Sequence, residues 1–200
     1  MEYFITILIG YLLGIIQTSY FLGLILYKKD IRNLGNGNAG ASNATLVFGK
    51  KVGLLTVIVD ISKAYVGLKI VNYLYPERID LLFLVGLMVF IGHCYPIYMN
   101  FRGGKGTASL IGIALALDYR LGLLVLLIYL LMVLITDYMV MGTMSLLLIV
   151  LIYTLYFQLM TFNLVCVSLM IILSVSKHLA NFSRIMKHEE THVSSVFKKK

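Results

Sequence analysis

The chain has 200 residues, 60% of them hydrophobic, with a mean hydropathy of +0.92 and only 13% charged residues. A soluble domain of this size cannot hide that much apolar surface, so the composition excludes one and points to an integral membrane protein. The formal charge of +8 reads as a loop bias and not as a nucleic-acid surface, because the cations collect in loops on one side.

The apolar segments do not alternate with polar residues, which predicts an all-α fold and not a barrel. Glu2 stands where a cleaved signal would carry basic residues, so the long apolar run 3–26 reads as a first membrane span. A polar stretch, 27–51, carries Lys28, Lys29, Arg32, Lys50 and Lys51 against Asp30. The second span, 52–75, places Asp60 and Lys63 at i, i+3 on one helix face. A third span covers 81–99, and a glycine loop fills 100–106. Residues 107–117 and 121–136 are apolar, separated by Asp118-Tyr119-Arg120. They read as two segments, since those charges would be costly in mid-bilayer. Spans 139–157 and 162–176 follow, and the polar tail 177–200 ends in three lysines.

This predicts a single membrane-embedded domain over 1–200 with about seven transmembrane helices. On that topology the loops 27–51, 100–106, 137–138 and the tail share one side and carry thirteen of the seventeen Lys and Arg residues. The excess of cations places the N-terminus outside and the C-terminus in the cytoplasm. Cys94 and Cys166 follow no metal spacing and read as packing residues. The two halves do not repeat, and the later spans hold few mid-span polar residues, which argues against a transporter.

Three polar stretches fall on the predicted cytoplasmic side. The first is Asp30-Ile31-Arg32-Asn33-Leu34-Gly35-Asn36-Gly37-Asn38-Ala39-Gly40-Ala41-Ser42-Asn43. It fits either a turn-rich loop or a pocket wall of neutral donors suited to hydroxyl or phosphate oxygens. The second, 92–109, contains His93, Pro96 and Gly103-Gly104-Lys105-Gly106 ahead of an apolar helix. Uncovered glycine N–H groups, positive φ, a helix N-terminus and one cation make an anion site. It is not a Walker A loop, because Gly106 follows Lys105 and Met99 occupies the position of the earlier glycine. A plain cytoplasmic loop fits the same residues. In the third, His178, Asn181 and Arg184 recur every three residues along a helix leaving the membrane. Arg184 suits bidentate phosphate binding and His178 suits proton exchange. A basic helix solvated on anionic lipid is the alternative.

Together the stretches DIRNLGNGNAGASN, GHCYPIYMNFRGGKGTAS and HLANFSRIMKHEE, with Asp60-Ile61-Ser62-Lys63-Ala64 on the second span, resemble the bacterial acyl-phosphate-dependent glycerol-3-phosphate acyltransferases, the PlsY family. The resemblance covers essentially the whole chain. It implies a fatty acyl transfer from acyl-phosphate to the 1-hydroxyl of glycerol 3-phosphate at the cytoplasmic face of the bacterial cell membrane, giving lysophosphatidic acid. It also implies no metal and no cofactor. The His-x4-Asp signature of other glycerophosphate acyltransferases is absent at His93 and His178. By the resemblance His178, Lys105 and Asn181 are catalytic. The implied substrate-binding residues are Asn36, Gly37, Asn38, Gly40, Ser42, Asn43, His93, Gly103, Gly104, Gly106, Thr143, Arg184 and Glu190.

Several positions depart from the family pattern. Asn36 replaces its serine, Ser42 its threonine and Leu46 its arginine; Arg102 replaces a lysine, His188 a glycine and Thr143 a later serine. Gly14-Ile15-Ile16-Gln17 stands for its Gly-Ser-Ile-Pro. The alternative readings are a divergent paralogue with another acyl acceptor, or a non-catalytic membrane protein that binds lipid or acyl-phosphate.

Overall fold

The computed structural model describes residues 1–157 and 159–198, the side chains of 196–198 excepted. Lys199 and Lys200 of the basic tail lie outside the described residues. The described residues form helices and contain no strand. These are α1 (Glu2–Gly14), α2 (Thr18–Tyr27), α3 (Ala41–Phe48), α4 (Lys50–Leu74), α5 (Ile79–Cys94), α6 (Thr107–Leu117), α7 (Tyr119–Thr136), α8 (Met139–Tyr156), α9 (Thr161–Met186) and α10 (Val193–Lys198). Short 3-10 turns lie at Ile31–Asn33 and Ile97–Met99.

Helix α5 is apolar all round and therefore belongs inside the bundle. Leu81, Phe83, Val85, Val89, Phe90 and Cys94 are buried along it. Helix α1 packs on α5 and α4; α4 packs on α6; α6, α7 and α8 follow as neighbours; and α9 closes the bundle against α8 and α5. The approach of α1 to α5 is close because small residues meet there. A Cβ on Gly92 would lie 2.6 Å from the Tyr11 carbonyl and 3.0 Å from the Gly14 Cα. Close backbone approach replaces hydrophobic driving force as the source of helix packing within lipid. On the outer side of the bundle, Leu123, Leu127, Leu130 and Leu134 of α7 are exposed, as a lipid-facing stripe requires.

Among the described residues, five segments are long and apolar enough to cross a bilayer: Glu2–Tyr27, Ile79–Met99, Tyr119–Thr136, Met139–Tyr156 and Thr161–Met186. The chain is thus a multi-pass integral membrane protein. Helix α4, with 25 residues, has the length for a crossing at about 1.5 Å per residue, although it carries Asp60 and Lys63. Helix α6, with 11 residues, reaches only about 16 Å at that rise. Asp118 accepts the Arg120 backbone N–H at 2.8 Å, and α6 and α7 are separate helices on either side of it.

The run 3–26 keeps the length of a first membrane span, as the sequence indicates, but its helix breaks after Gly14 and restarts at Thr18. The freed carbonyls are satisfied from elsewhere, Ile16 by the Lys63 ammonium at 2.6 Å and Ile15 by the Tyr98 hydroxyl. Irregular backbone at membrane depth is tolerated only with such partners. The expectation that 27–51 is loop needs correction, since the stretch holds α3 and the first two residues of α4, Lys50 and Lys51. As expected of a helix leaving the membrane, α9 runs on past 176 to Met186 and carries His178, Asn181 and Arg184, while Glu189 and Glu190 lie beyond its end.

At one end of the bundle, Arg78 pairs with Glu2 and with Asp80, and Tyr3 donates to Asp80 at 2.8 Å, which ties the starts of α1 and α5 together. The three motif stretches gather at the other end.

Candidate active site

The first motif folds around one side chain. Asn43 is fully buried at the start of α3. Its Oδ1 accepts the Asn36 N–H at 2.7 Å, and its Nδ2 donates to the carbonyls of Ile31 (3.2 Å), Leu34 (3.0 Å) and Asn38 (2.8 Å). The two Nδ2 protons are shared among the three carbonyls while the oxygen accepts, so Asn43 holds the loop from within. Asn38 accepts the Gly40 N–H at 2.9 Å, and Ser19 of α2 donates to the Ala39 carbonyl at 2.7 Å. Gly37 turns the chain at φ +71°. Asn36, Gly37 and Ser42 are left exposed, and Gly40 caps α3 with its backbone alone. The polar wall expected from the sequence therefore divides: Asn43 and Asn38 build the loop, while Asn36, Gly37 and Ser42 face out. Arg32 joins this motif to the second. It pairs with Asp30 at 2.6 Å and donates to the Met99 carbonyl at 2.6 Å, just ahead of the glycine loop. The same guanidinium holds the Asp30 carboxyl below its ordinary pKa.

The glycine loop differs from the expected open cradle. Gly103 and Gly104 do not use positive φ, and their N–H groups are spent on the Cys94 (3.1 Å) and His93 (3.1 Å) carbonyls at the end of α5. They are glycine for closeness: a Cβ on Gly103 would strike the His93 carbonyl and Pro96, and one on Gly104 would overlap the His93 ring. Of the three glycines only Gly106 has a left-handed backbone, at φ +86°, with Phe90 filling its side-chain space. The N–H groups left for a ligand are those of the first turn of α6, which have no partner within the helix. The expectation of uncovered glycine N–H groups is thus corrected: the loop is bonded down, and it presents Lys105 and the N-terminus of α6.

The third motif meets this point. The Lys105 ammonium donates to the Asn181 side-chain oxygen. Asn181 Nδ2 donates to Glu190 at 2.6 Å, and Arg184 Nε donates to the other oxygen of Glu190 at 2.6 Å. Burial, followed by the neighbouring Arg184 charge, pushes the Lys105 amine down to about 8. His178 is buried one turn before Asn181, and its Nδ1 lies 2.8 Å from the Ser174 carbonyl. A carbonyl only accepts, so Nδ1 carries the proton and Nε2 keeps its lone pair. Thr143 of α8 donates to the Met139 carbonyl at 3.1 Å, so it accepts from Thr107 at the start of α6, 2.8 Å away. Thr143 is buried there and braces that helix N-terminus. Beyond Glu190 the chain crosses to the turn between α7 and α8, where Ser194 Oγ donates to Asp137 at 2.6 Å.

His93 is 2% exposed and lies beneath the loop. Its Nδ1 is 2.9 Å from the Lys63 ammonium, which is itself 2.8 Å from Asp60. The Gln17 amide donates to the His93 carbonyl at 2.8 Å, and Lys177 donates to the Cys94 carbonyl at 3.0 Å while lying 3.9 Å above the Tyr95 ring. Gln17, Lys63, Lys177 and Thr107 were not among the expected site residues. The polar run Gln17-Thr18-Ser19 inside an apolar segment was the one available signal for the first of them.

The fold and this cluster define a multi-pass membrane protein with one polar, cationic site at one end of its bundle, suited to phosphate-bearing molecules. A family model described as glycerol-3-phosphate acyltransferase matches residues 4–188. Glycerol-3-phosphate acyltransferase 1 of Oceanobacillus iheyensis is 40% identical over 100% of this chain and 99% of its own. The glycerol-3-phosphate acyltransferase of Pelagibacter ubique is 36% identical over 96% and 97%. Among solved structures, the glycerol 3-phosphate form of PlsY (YgiH), an integral membrane glycerol 3-phosphate acyltransferase, superposes with a TM-score of 0.90 at 25% identity, covering 100% of both chains. Its lysophosphatidic acid form shares the fold, with a TM-score of 0.86. The chain belongs to the glycerol-3-phosphate acyltransferase family.

Proposed function

We propose that this enzyme moves a fatty acyl group from acyl-phosphate to the 1-hydroxyl of glycerol 3-phosphate, releasing phosphate and lysophosphatidic acid. The observation that carries the reading is the meeting of Lys105, Asn181 and Arg184 beside His178 at the N-terminus of α6. Both substrates bear phosphate, and this end of the bundle offers two cations and a set of unpaired helix N–H groups. In the reaction the hydroxyl oxygen bonds the acyl carbon, the bond from that carbon to the phosphate oxygen breaks, and phosphate leaves. The hydroxyl proton passes to His178 Nε2 or to a phosphate oxygen. The leaving group is already good, so no covalent intermediate is needed, and positioning with charge stabilisation supplies the rate.

In this reading Lys105 and Arg184 bind phosphate, Asn181 orients Lys105, and Glu190 holds Asn181 and Arg184 between turnovers. Asn36, Gly37 and Ser42 face the acceptor, while Asn38, Gly40 and Asn43 shape its loop. Gly103, Gly104 and Gly106 set the loop's height, with His93 beneath it and Thr143 behind. The chain crosses the membrane seven times, counting α4 and α6, with the N-terminus outside. The site lies on the cytoplasmic face of the bacterial cell membrane, and 1–200 act as one domain. The cation-rich loops at the motif end support this orientation.

Leu46 favours a second reading, in which the acceptor differs. It is 38% exposed on α3 beside the first motif, at a position where the family pattern carries a cation. One measurement separates the two: phosphate release from palmitoyl-phosphate by purified protein, with and without glycerol 3-phosphate. Release that depends on glycerol 3-phosphate supports the first reading. Release without such dependence, or none, overturns it.

A further inference from the structure

The Asp60–Lys63–His93 cluster lies outside the reacting groups, yet each of its side chains is buried within the bundle. An ammonium has three protons and no lone pair. Lys63 directs two of them to the Ile16 carbonyl (2.6 Å) and His93 Nδ1 (2.9 Å), and its charge pairs with Asp60 Oδ1 at 2.8 Å, an oxygen that also lies 3.5 Å from His93 Nδ1. Nδ1 of His93 is therefore the acceptor, and its proton sits on Nε2, the edge that lies against Gly104. The His93 carbonyl receives two further N–H groups, from Gln17 (2.8 Å) and Gly104 (3.1 Å). Contacts thus run without a gap from Lys63 through His93 to Gly104 and Lys105. Buried ion pairs are often no more stable than an apolar substitute, so stability alone does not account for this one. Arginine could not replace the lysine, because its planar fork does not match three partners from three elements.

We infer that Lys63 is a positioning residue for the acyl transfer: it fixes the His93 imidazole, which carries the Gly103-Gly104-Lys105-Gly106 loop at the height needed to meet phosphate. This rests on the function proposed above. Displacing such a loop by about 1 Å costs about a hundredfold in rate.

The test compares the wild type with Lys63→Met, the charge-balanced double variant Asp60→Asn/Lys63→Met, and His93→Asn. Asparagine retains an acceptor near Nδ1 but lacks the edge under Gly104. The readouts are Tm, kcat and KM for glycerol 3-phosphate, and hydrogen exchange of the 102–106 amides. Lys63→Met is expected to lose both Tm and activity, because Asp60 is left unpaired. The double variant is expected to recover Tm while KM stays raised about tenfold or more and the Gly103 and Gly104 amides exchange faster. A double variant with wild-type KM and exchange would reduce Lys63 to half of an ion pair and overturn the inference. If the double variant does not recover Tm, His93→Asn decides, since wild-type KM and exchange there would break the proposed chain of contacts. Should the wild type itself transfer no acyl group, the proposed function fails, and the exchange data still accept or reject the positioning role.

Discussion

Lys105 of the glycine loop donates its ammonium proton to Asn181 of α9, two residues that stand 76 positions apart in the sequence. This bond joins the second and third motifs into one site, and the Glu190–Arg184 pair extends it. The bond carries the first prediction. Lys105→Ala removes the cation that faces phosphate and is expected to lower kcat/KM by about a hundredfold or more. Lys199→Ala, outside the described residues, is expected to change little. Equal losses in a steady-state assay of the two variants would argue against a dedicated site.

The Lys105 amine is held down to about 8, so its pH dependence has a definite sign. Below that value the amine is protonated and attracts phosphate. Above it the charge is lost, and the attraction with it. The kcat/KM for glycerol 3-phosphate is expected to fall as pH rises through about 8, well before a solvated lysine would titrate. A profile flat to pH 10 in free enzyme would contradict the assignment. Bound phosphate favours the charged form and should move the corresponding step in kcat upward.

His178 donates from Nδ1 to Ser174, which leaves Nε2 for the acceptor hydroxyl. His178→Ala is expected to reduce kcat by about a hundredfold or more if a proton is transferred there. His178→Gln keeps a polar atom near Nε2 without basicity. Substantial activity in the glutamine variant would show that the residue only positions the hydroxyl and that a phosphate oxygen takes the proton.

Asn43 gives a contrast between two small substitutions. Asn43→Ala strands the Asn36 N–H and three carbonyls, at about 1–3 kcal/mol of stability if they stay buried. Asn43→Asp is expected to cost more, since a carboxylate would face the carbonyls of Ile31, Leu34 and Asn38. Thermal unfolding of both variants in one detergent checks the order. KM for glycerol 3-phosphate should rise in each, because Asn36, Gly37 and Ser42 depend on this loop.

Leu46→Arg is expected to lower KM for glycerol 3-phosphate. One charged hydrogen bond is worth about 1.5–3 kcal/mol, which corresponds to about a tenfold to a hundredfold change. Leu46 is exposed, so the longer side chain has room. An unchanged KM, with Asn36→Ser added as well, would favour a different natural acceptor.

By itself the sequence determined the membrane class, the helical fold and the three stretches that form the site. Those properties rest on local quantities: the length of apolar runs, the placement of cations, and glycine and asparagine spacing. It also paired Asp60 with Lys63, since i, i+3 residues share a helix face. Tertiary structure alone decided where the glycine loop's hydrogen bonds go. Gly103 and Gly104 read as exposed donors in the sequence, but the end of α5 takes both N–H groups. The break after Gly14 was likewise hidden. No proline marks it, and it is stable only because Lys63 and Tyr98, from α4 and the turn after α5, satisfy the carbonyls it frees. His93 stood out in the sequence for its position alone, and only the fold shows that it is buried with its ring against Gly104. In each case the deciding partner is distant in sequence, and an unpaired polar group inside a membrane bundle costs too much for the backbone to settle before that partner arrives.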